Sequence, residues 1–213
     1  MKHYDSIDYY GDHFGIPTIA FDKLDGSNIR AEFTRKRGFY KFGSRNVLID
    51  GSHEQFGFAI DLFLNKYNEG LSRIFTSKDY RDIQSFVCFA ELIGKKSAFG
   101  QHEFGNDEFD IVLFDVDQYK KGFVQPREFV KRFQLLGIPK IVHDGNLNME
   151  FVNEVKQNVY GLQEGVICKS VISTKKGSDR LHYSKIKTND WFARLRGKDP
   201  ELYELELKQS KGK

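Results

Sequence analysis

Six charged side chains in this sequence, four cationic and two anionic, each stand inside or at the end of an apolar, strand-like run. They are Lys23 in FDKLDG, Arg45 in FGSRN, Glu91 in FAELIG, Glu164 in EGVICK, and Lys185 and Lys187 in YSKIKT. A lysine within a strand is costly, because burying an ammonium is expensive. Lys185 and Lys187 are two apart, so on a strand they project from one face. Taken singly, each residue reads most simply as a half-buried ion pair or a solvated strand end. Taken as a set, they suit one chemistry. A lysine amine becomes a nucleophile once neutral, and desolvation and neighbouring cations both favour that form. Further cations can neutralise charge that builds on an anionic substrate.

The elements needed to position these residues are legible around them. IPTIAFDK, SNIRAEFTR and FYKFGSR alternate as strands broken at Asp25-Gly26 and Arg37-Gly38. Over residues 53–75 the apolar spacing changes to three and four, with Phe56, Ile60, Phe63, Leu64, Tyr67, Leu71 and Ile74 predicting a helix. Strands are expected at 85–94 and 109–116, joined by a glycine-rich acidic link. Helices are expected at 126–136, opened by Pro126 and closed at Gly137, and at 148–160. Strands return at 164–171 and 181–188. Residues 191–213 read as a charged, partly helical tail. Strands and helices are segregated, so the class is α+β rather than an alternating parallel fold.

In order along the chain, KLDGSN, GSRN, FAELIG, LFDV, EGVICK and YSKIKT resemble nucleotidyltransferase motifs I, Ia, III, IIIa, IV and V. These motifs are shared by ATP-dependent DNA ligases, RNA ligases and mRNA capping enzymes. The resemblance spans residues 22–187. Lys-x-Asp-Gly alone is a loose match, and the ordered set with EGVxxK and KxK is specific. Asn28 stands where DNA ligases and capping enzymes usually carry arginine, which points to the RNA ligase branch that seals nicks in duplex RNA. Arg30, two residues on, is an alternative occupant of that role.

The resemblance implies an adenylation domain: antiparallel sheets flanked by helices around an ATP cleft, over residues 1–190. Only 26 residues follow Lys187, too few for an OB barrel. The chain therefore reads as a catalytic domain with a tail over 191–213, and a protein partner supplying a further module is one expectation. By resemblance, Lys23 is the nucleophile that becomes lysyl-AMP, and Lys185 and Lys187 hold the phosphate. Glu164, with Asp25, orders Mg²⁺, with Mn²⁺ as a substitute, and Glu91 binds the ribose. Phe114 stacks on the adenine, with Val166 or a neighbour on its other face. Asp22, Gly26, Asn28, Arg45 and Lys169 complete the nucleotide site. The implied reaction joins RNA 3′-hydroxyl and 5′-phosphate ends. A minimal DNA ligase, a capping guanylyltransferase and an inactive RNA-binding module of the same fold are the alternatives.

Bulk composition narrows the class without deciding it. The 213 residues carry a net charge of +3 with 30% charged and 15% aromatic residues, globular values that also suit many enzymes that do not bind nucleic acid. Basic clusters at 34–37, 95–97, 173–180 and in the tail are candidate phosphate contacts. Cys88 and Cys168 lie in apolar runs and read as free thiols, with no CxxC pattern for zinc. No signal core or membrane-length apolar run is present, so a cytoplasmic location is expected, in the host cytoplasm if the source is viral. The GKKS string at 94–97 is not a phosphate loop, because Phe89 occupies the position of the required earlier glycine.

Overall fold

The computed structural model describes residues 1–11, 14–94, 109–173 and 179–211. The acidic link, the GKKS string and basic cluster at 95–97, and most of the cluster at 173–180 lie outside these. The chain divides into two compact units. One comprises Met1–Asp5 with Asp25–Ile138, the other Ser6–Leu24 with Pro139–Lys213. Residues 191–213, expected as a tail, group with the second unit. The chain crosses from one unit to the other between Leu24 and Asp25.

The first unit holds six antiparallel strands: β2 (Ser27–Thr34), β3 (Gly38–Ser44), β4 (Leu48–Ile49), β5 (Ser85–Ile93), β6 (Asp110–Gln118) and β7 (Gly122–Phe123). Their order is β4-β3-β2-β5-β6-β7. Helix α1 (Gly57–Phe75) buries Ala59, Phe63, Tyr67, Leu71 and Phe75. That strict four-residue stripe lies within the predicted helix, which starts four residues later than expected. Phe75 stacks on Phe86 with ring centroids 4.0 Å apart, joining the helix to β5. The buried Tyr67 hydroxyl donates to the Ile111 carbonyl at 2.9 Å, so the one polar atom in the stripe is satisfied. Helix α2 (Pro126–Phe133) begins at the proline and ends in a 3₁₀ turn to Leu136, where Gly137 takes a left-handed φ of 84°.

The second unit is a four-stranded antiparallel sheet in the order β10-β9-β1-β8, made of β1 (Pro17–Lys23), β8 (Ile141–Asn146), β9 (Gly165–Ser173) and β10 (Asp179–Lys187). Strand β8 is an addition to the sequence expectation. Its HDGN stretch carries turn residues, and as an edge strand it has no fully buried position to give a strand signal. Helix α3 (Met149–Lys156) is capped by Asn148, whose side chain accepts from Phe151 N. It ends earlier than the expected residue 160, and Asn158 takes a left-handed φ of 58°. Phe151, Val152 and Val155 pack with Ala20, Val166, Cys168 and Ile186 as the core. The tail forms α4 (Asn189–Lys198) and α5 (Pro200–Ser210), capped by Thr188 and Asp199.

Candidate active site

Register places two predicted lysines on either side of one glycine. Gly165 opens β9 and pairs with Lys23 of β1 on one flank and Lys187 of β10 on the other. Two residues along, Ile167 lies between Phe21 and Lys185, and after it Lys169 lies between Ile19 and Tyr183. Alternation puts Lys23, Lys185, Lys187 and Lys169 on one sheet face. The opposite face carries Ala20, Val166, Cys168 and Ile186 into the core. Of the expected pair, Val166 or a neighbour, Val166 lies on the core side. It is completely buried among α3 side chains, on the side away from the lysines. Its neighbour Ile167, half-buried, holds the lysine-side position.

Gly165 is demanded by this packing. A Cβ there would lie 2.0 Å from the Ile186 carbonyl oxygen and 2.8 Å from Lys187 Cα, and the backbone φ is +155°. The glycine lets β10 approach closely just where the lysines flank it.

Glu164, immediately before the glycine, joins them. Its Oε2 accepts from Lys23 Nζ at 2.6 Å, and its Oε1 lies 3.0 Å from Lys187 Nζ. Burial pushes the Glu164 carboxyl upward, and the Lys23 and Lys187 ammonium groups outweigh this, holding it below the usual carboxylate range. Lys187 is 5% exposed and its ammonium sits 3.4 Å from the Trp191 ring centroid. Thr188 caps the helix that carries that ring, its hydroxyl accepting from the Trp191 backbone N at 3.0 Å while its own N donates to the Glu164 carbonyl at 2.9 Å. Lys185 lies 4.5 Å from the Tyr9 ring centroid, and burial lowers its ammonium below the ordinary lysine value against the pull of Glu206. Lys169, 4% exposed, lies over the Phe21 and Tyr183 rings.

Sequence reasoning missed Glu206. Its Oε2 accepts from the Tyr9 hydroxyl at 2.5 Å and lies 3.2 Å from Lys187 Nζ and 3.5 Å from Lys185 Nζ. A signal existed: Asp199-Pro200-Glu201 is a helix start, and Tyr203, Glu206, Leu207 and Ser210 then recur on one half-buried face. Tyr9 was missed because residues 1–15 carry no periodic pattern. Residues 8–10 nevertheless run beside β10, with Lys185 N donating to the Asp8 carbonyl and Tyr10 N to the Lys185 carbonyl.

Asp22 points to the other side of β1 from Lys23. Its Oδ1 is buried without a hydrogen bond among the described residues, and burial raises its carboxyl.

Asp25, Gly26, Asn28, Arg45, Glu91 and Phe114 belong to the first unit. Asn28 and Glu91 are direct partners across β2 and β5, both half-buried. Asn28 Oδ1 is buried and unpartnered among the described residues, the kind of orphan acceptor a ligand donor would satisfy. Gly26 passes so close to β5 that a Cβ would lie 2.2 Å from the Leu92 carbonyl oxygen. Phe114 sits at a bulge of β6, half-buried and met edge-on by Tyr4. Arg45 is exposed just beyond β3. Arg30, the alternative to Asn28, is 1% exposed, and its guanidinium donates to the Ser44 and Lys2 carbonyls. It is committed to the backbone.

No three or more His, Cys, Asp or Glu side chains gather as a metal cage among the described residues. A Mg²⁺ ion needs no such cage, because it keeps several waters and takes one or two carboxylates together with phosphate oxygens. Glu164 is the carboxylate so placed on the lysine face.

A family model described as RNA ligase matches residues 16–187. Among solved structures, a variant of Naegleria gruberi RNA ligase with ATP and Mn aligns at TM-score 0.66 and 16% identity, covering 91% of this chain and 58% of that one. A second variant with ATP and Mn aligns at TM-score 0.62 and 17% identity, covering 86% and 53%. The same organism's RNA ligase with PPi aligns at 0.61 and 15% identity, covering 88% and 54%. This chain thus spans a little over half the length of the solved structures it matches. A comparison with curated proteins found no match.

Proposed function

Because this chain belongs to the RNA ligase family, we propose that it is an ATP-dependent RNA ligase in which Lys23 carries AMP. The observation that carries this reading is the Lys23–Glu164–Lys187 network around Gly165, built inside the matched segment. The solved relatives with ATP, AMP and Mn support the choice of nucleotide and divalent ion.

Lys23 Nζ attacks the α-phosphorus of ATP, the N–P bond forms, and the bond to pyrophosphate breaks. The nitrogen must lose its proton to offer a lone pair. Glu164 accepts a hydrogen bond from it and so orients it, stays ionised itself, and leaves the proton to pass to water. Lys185 and Lys187 face the same side and balance charge gathering on the phosphate oxygens. Mg²⁺ or Mn²⁺, held by Glu164, would neutralise further phosphate charge when bound. In the second unit, Lys169 borders the nucleotide and Asp22 supports β1 behind Lys23. In the first unit, Asn28, Glu91, Arg45 and Phe114 serve the nucleotide or the RNA end, with Asp25 and Gly26 shaping the turn. AMP then passes from Lys23 to a 5′-phosphate, and a 3′-hydroxyl attacks that phosphate, forming the phosphodiester and releasing AMP.

Incubation with labelled ATP and Mg²⁺ should yield a covalent AMP adduct that Lys23→Ala cannot form. A variant that labels as well as the parent protein would refute the assignment. Parallel assays on nicked RNA and nicked DNA test the RNA preference, and a strong DNA preference would overturn it.

A further inference from the structure

The two lysines on β10 are already holding an anion, and it comes from the tail. One oxygen of Glu206 receives the Tyr9 hydroxyl and faces both Lys187 and Lys185. A single anionic oxygen among an O–H donor and two ammonium groups is the arrangement a phosphate oxygen would adopt. Tyr9 is kept in its protonated, donating form, because burial and Glu206 both raise its hydroxyl. Glu206 in turn is fixed as a carboxylate: burial works against this, and the Tyr9 hydrogen bond with the two lysines prevails.

Helix α5, which carries Glu206, is lightly attached. None of its residues is fully buried, and Leu202 and Leu205 face solvent. Its aromatic anchor is Tyr203, edge-on to Phe192 of α4 with centroids 6.3 Å apart. An element with so little buried surface opens at small cost. The carboxylate is thus held by strong local bonds on a weakly held helix.

We propose that α5 is a displaceable stopper, with Glu206 occupying the anion seat of Lys185 and Lys187 until a phosphate-bearing ligand replaces it. This rests on the reading that these lysines serve phosphate. Seating a phosphate there requires Glu206 to leave, since two anions cannot share the same two ammonium groups without repulsion. The protein then binds phosphate ligands more weakly than its lysines alone would, by the fraction of molecules in which the seat is open.

The test uses Trp191, the sole tryptophan, which lies directly beneath Lys187. Its fluorescence is followed while pyrophosphate, and separately ATP, is titrated into the full chain and into Glu206→Gln and Tyr203→Ala. Glu206→Gln removes the competing charge. Tyr203→Ala loosens α5 without touching the seat, so it stands in should the first variant fold poorly. The apparent Kd for pyrophosphate is expected to fall about tenfold in Glu206→Gln and severalfold in Tyr203→Ala. Unchanged or weaker binding in a folded variant would overturn the proposal and leave Glu206 as a residue that positions the lysines. Failure of the ligase reading would look different: no AMP adduct forms on the parent protein, whatever the order of pyrophosphate affinities.

Discussion

Replacing Gly165 by alanine tests whether close approach of β9 and β10 builds the site. The new Cβ would stand 2.0 Å from the Ile186 carbonyl oxygen, while ordinary contact begins at 3.4 Å. The two backbones would have to part by about 1.4 Å there, enough to break any interstrand hydrogen bond of normal length at that point. The φ of +155° adds a conformational penalty of roughly 1–3 kcal/mol for a residue with a side chain, and buried backbone groups left unpaired add roughly 1–3 kcal/mol. A working total of about 3 kcal/mol lowers the unfolding midpoint by roughly 6–12 °C for a chain of this size. Gly161→Ala is the control, since its φ is +65° and nothing lies within 4 Å of the added carbon. It should cost about 1 kcal/mol, or roughly 2–4 °C. Both are measured by thermal unfolding followed at Trp191, with AMP-adduct formation alongside. Displacing Lys187 by an ångström relative to Lys23 should slow adduct formation about a hundredfold in Gly165→Ala, with little effect in Gly161→Ala. Equal midpoints for the two variants, or a parental labelling rate for Gly165→Ala, would refute the reasoning.

Glu164→Gln should destabilise the protein by about 2–3 kcal/mol, because Lys187 loses one of its two carboxylates and keeps Glu206. The Glu164 carboxyl is held below its unfolded value, so its contribution is fully present above that value and is lost as pH falls through the lower folded one. Unfolding midpoints measured down from pH 5 should therefore drop less steeply in Glu164→Gln than in the parent protein. Arg30→Met should cost about 2–4 kcal/mol in chemical denaturation, since the Ser44 and Lys2 carbonyls each lose a charged donor. An effect below 1 kcal/mol would argue against its structural role. Cys88 and Cys168 are fully buried, and burial pushes the Cys168 thiol up to about 12. A thiol reagent should find neither in the native protein and both after unfolding.

The clustered lysines were readable from local spacing that survives folding: Lys23 by its misplacement in a strand, Lys185 and Lys187 by their two-residue interval. Pairing was less readable. That Glu164 would sit between Lys23 and Lys187 depends on the register of three strands drawn from both ends of the chain. Val166 went astray because EGVICK alternates faces, and its valine falls on the core side. Arg30 stands in the sequence as an alternative to Asn28, yet its fork matches two backbone carbonyls that no local pattern shows. Glu206 was hidden by the default reading of a charged tail as solvated surface.

The second unit is stitched from residues 6–24 and 139–213, and β1 lies in the interior of its sheet, between β8 and β9. This gives its formation an enforced order in time. A ribosome adding about 5–20 residues per second needs on the order of ten to thirty seconds between finishing β1 and finishing β10. Until β8 and β9 emerge late in that interval, PTIAF is an apolar strand with both edges open, the kind of segment that invites association between nascent chains. A chain stopped before β9 carries Lys23 without Glu164, Lys185 or Lys187, as an ordinary surface amine. Such fragments would be adhesive and chemically silent.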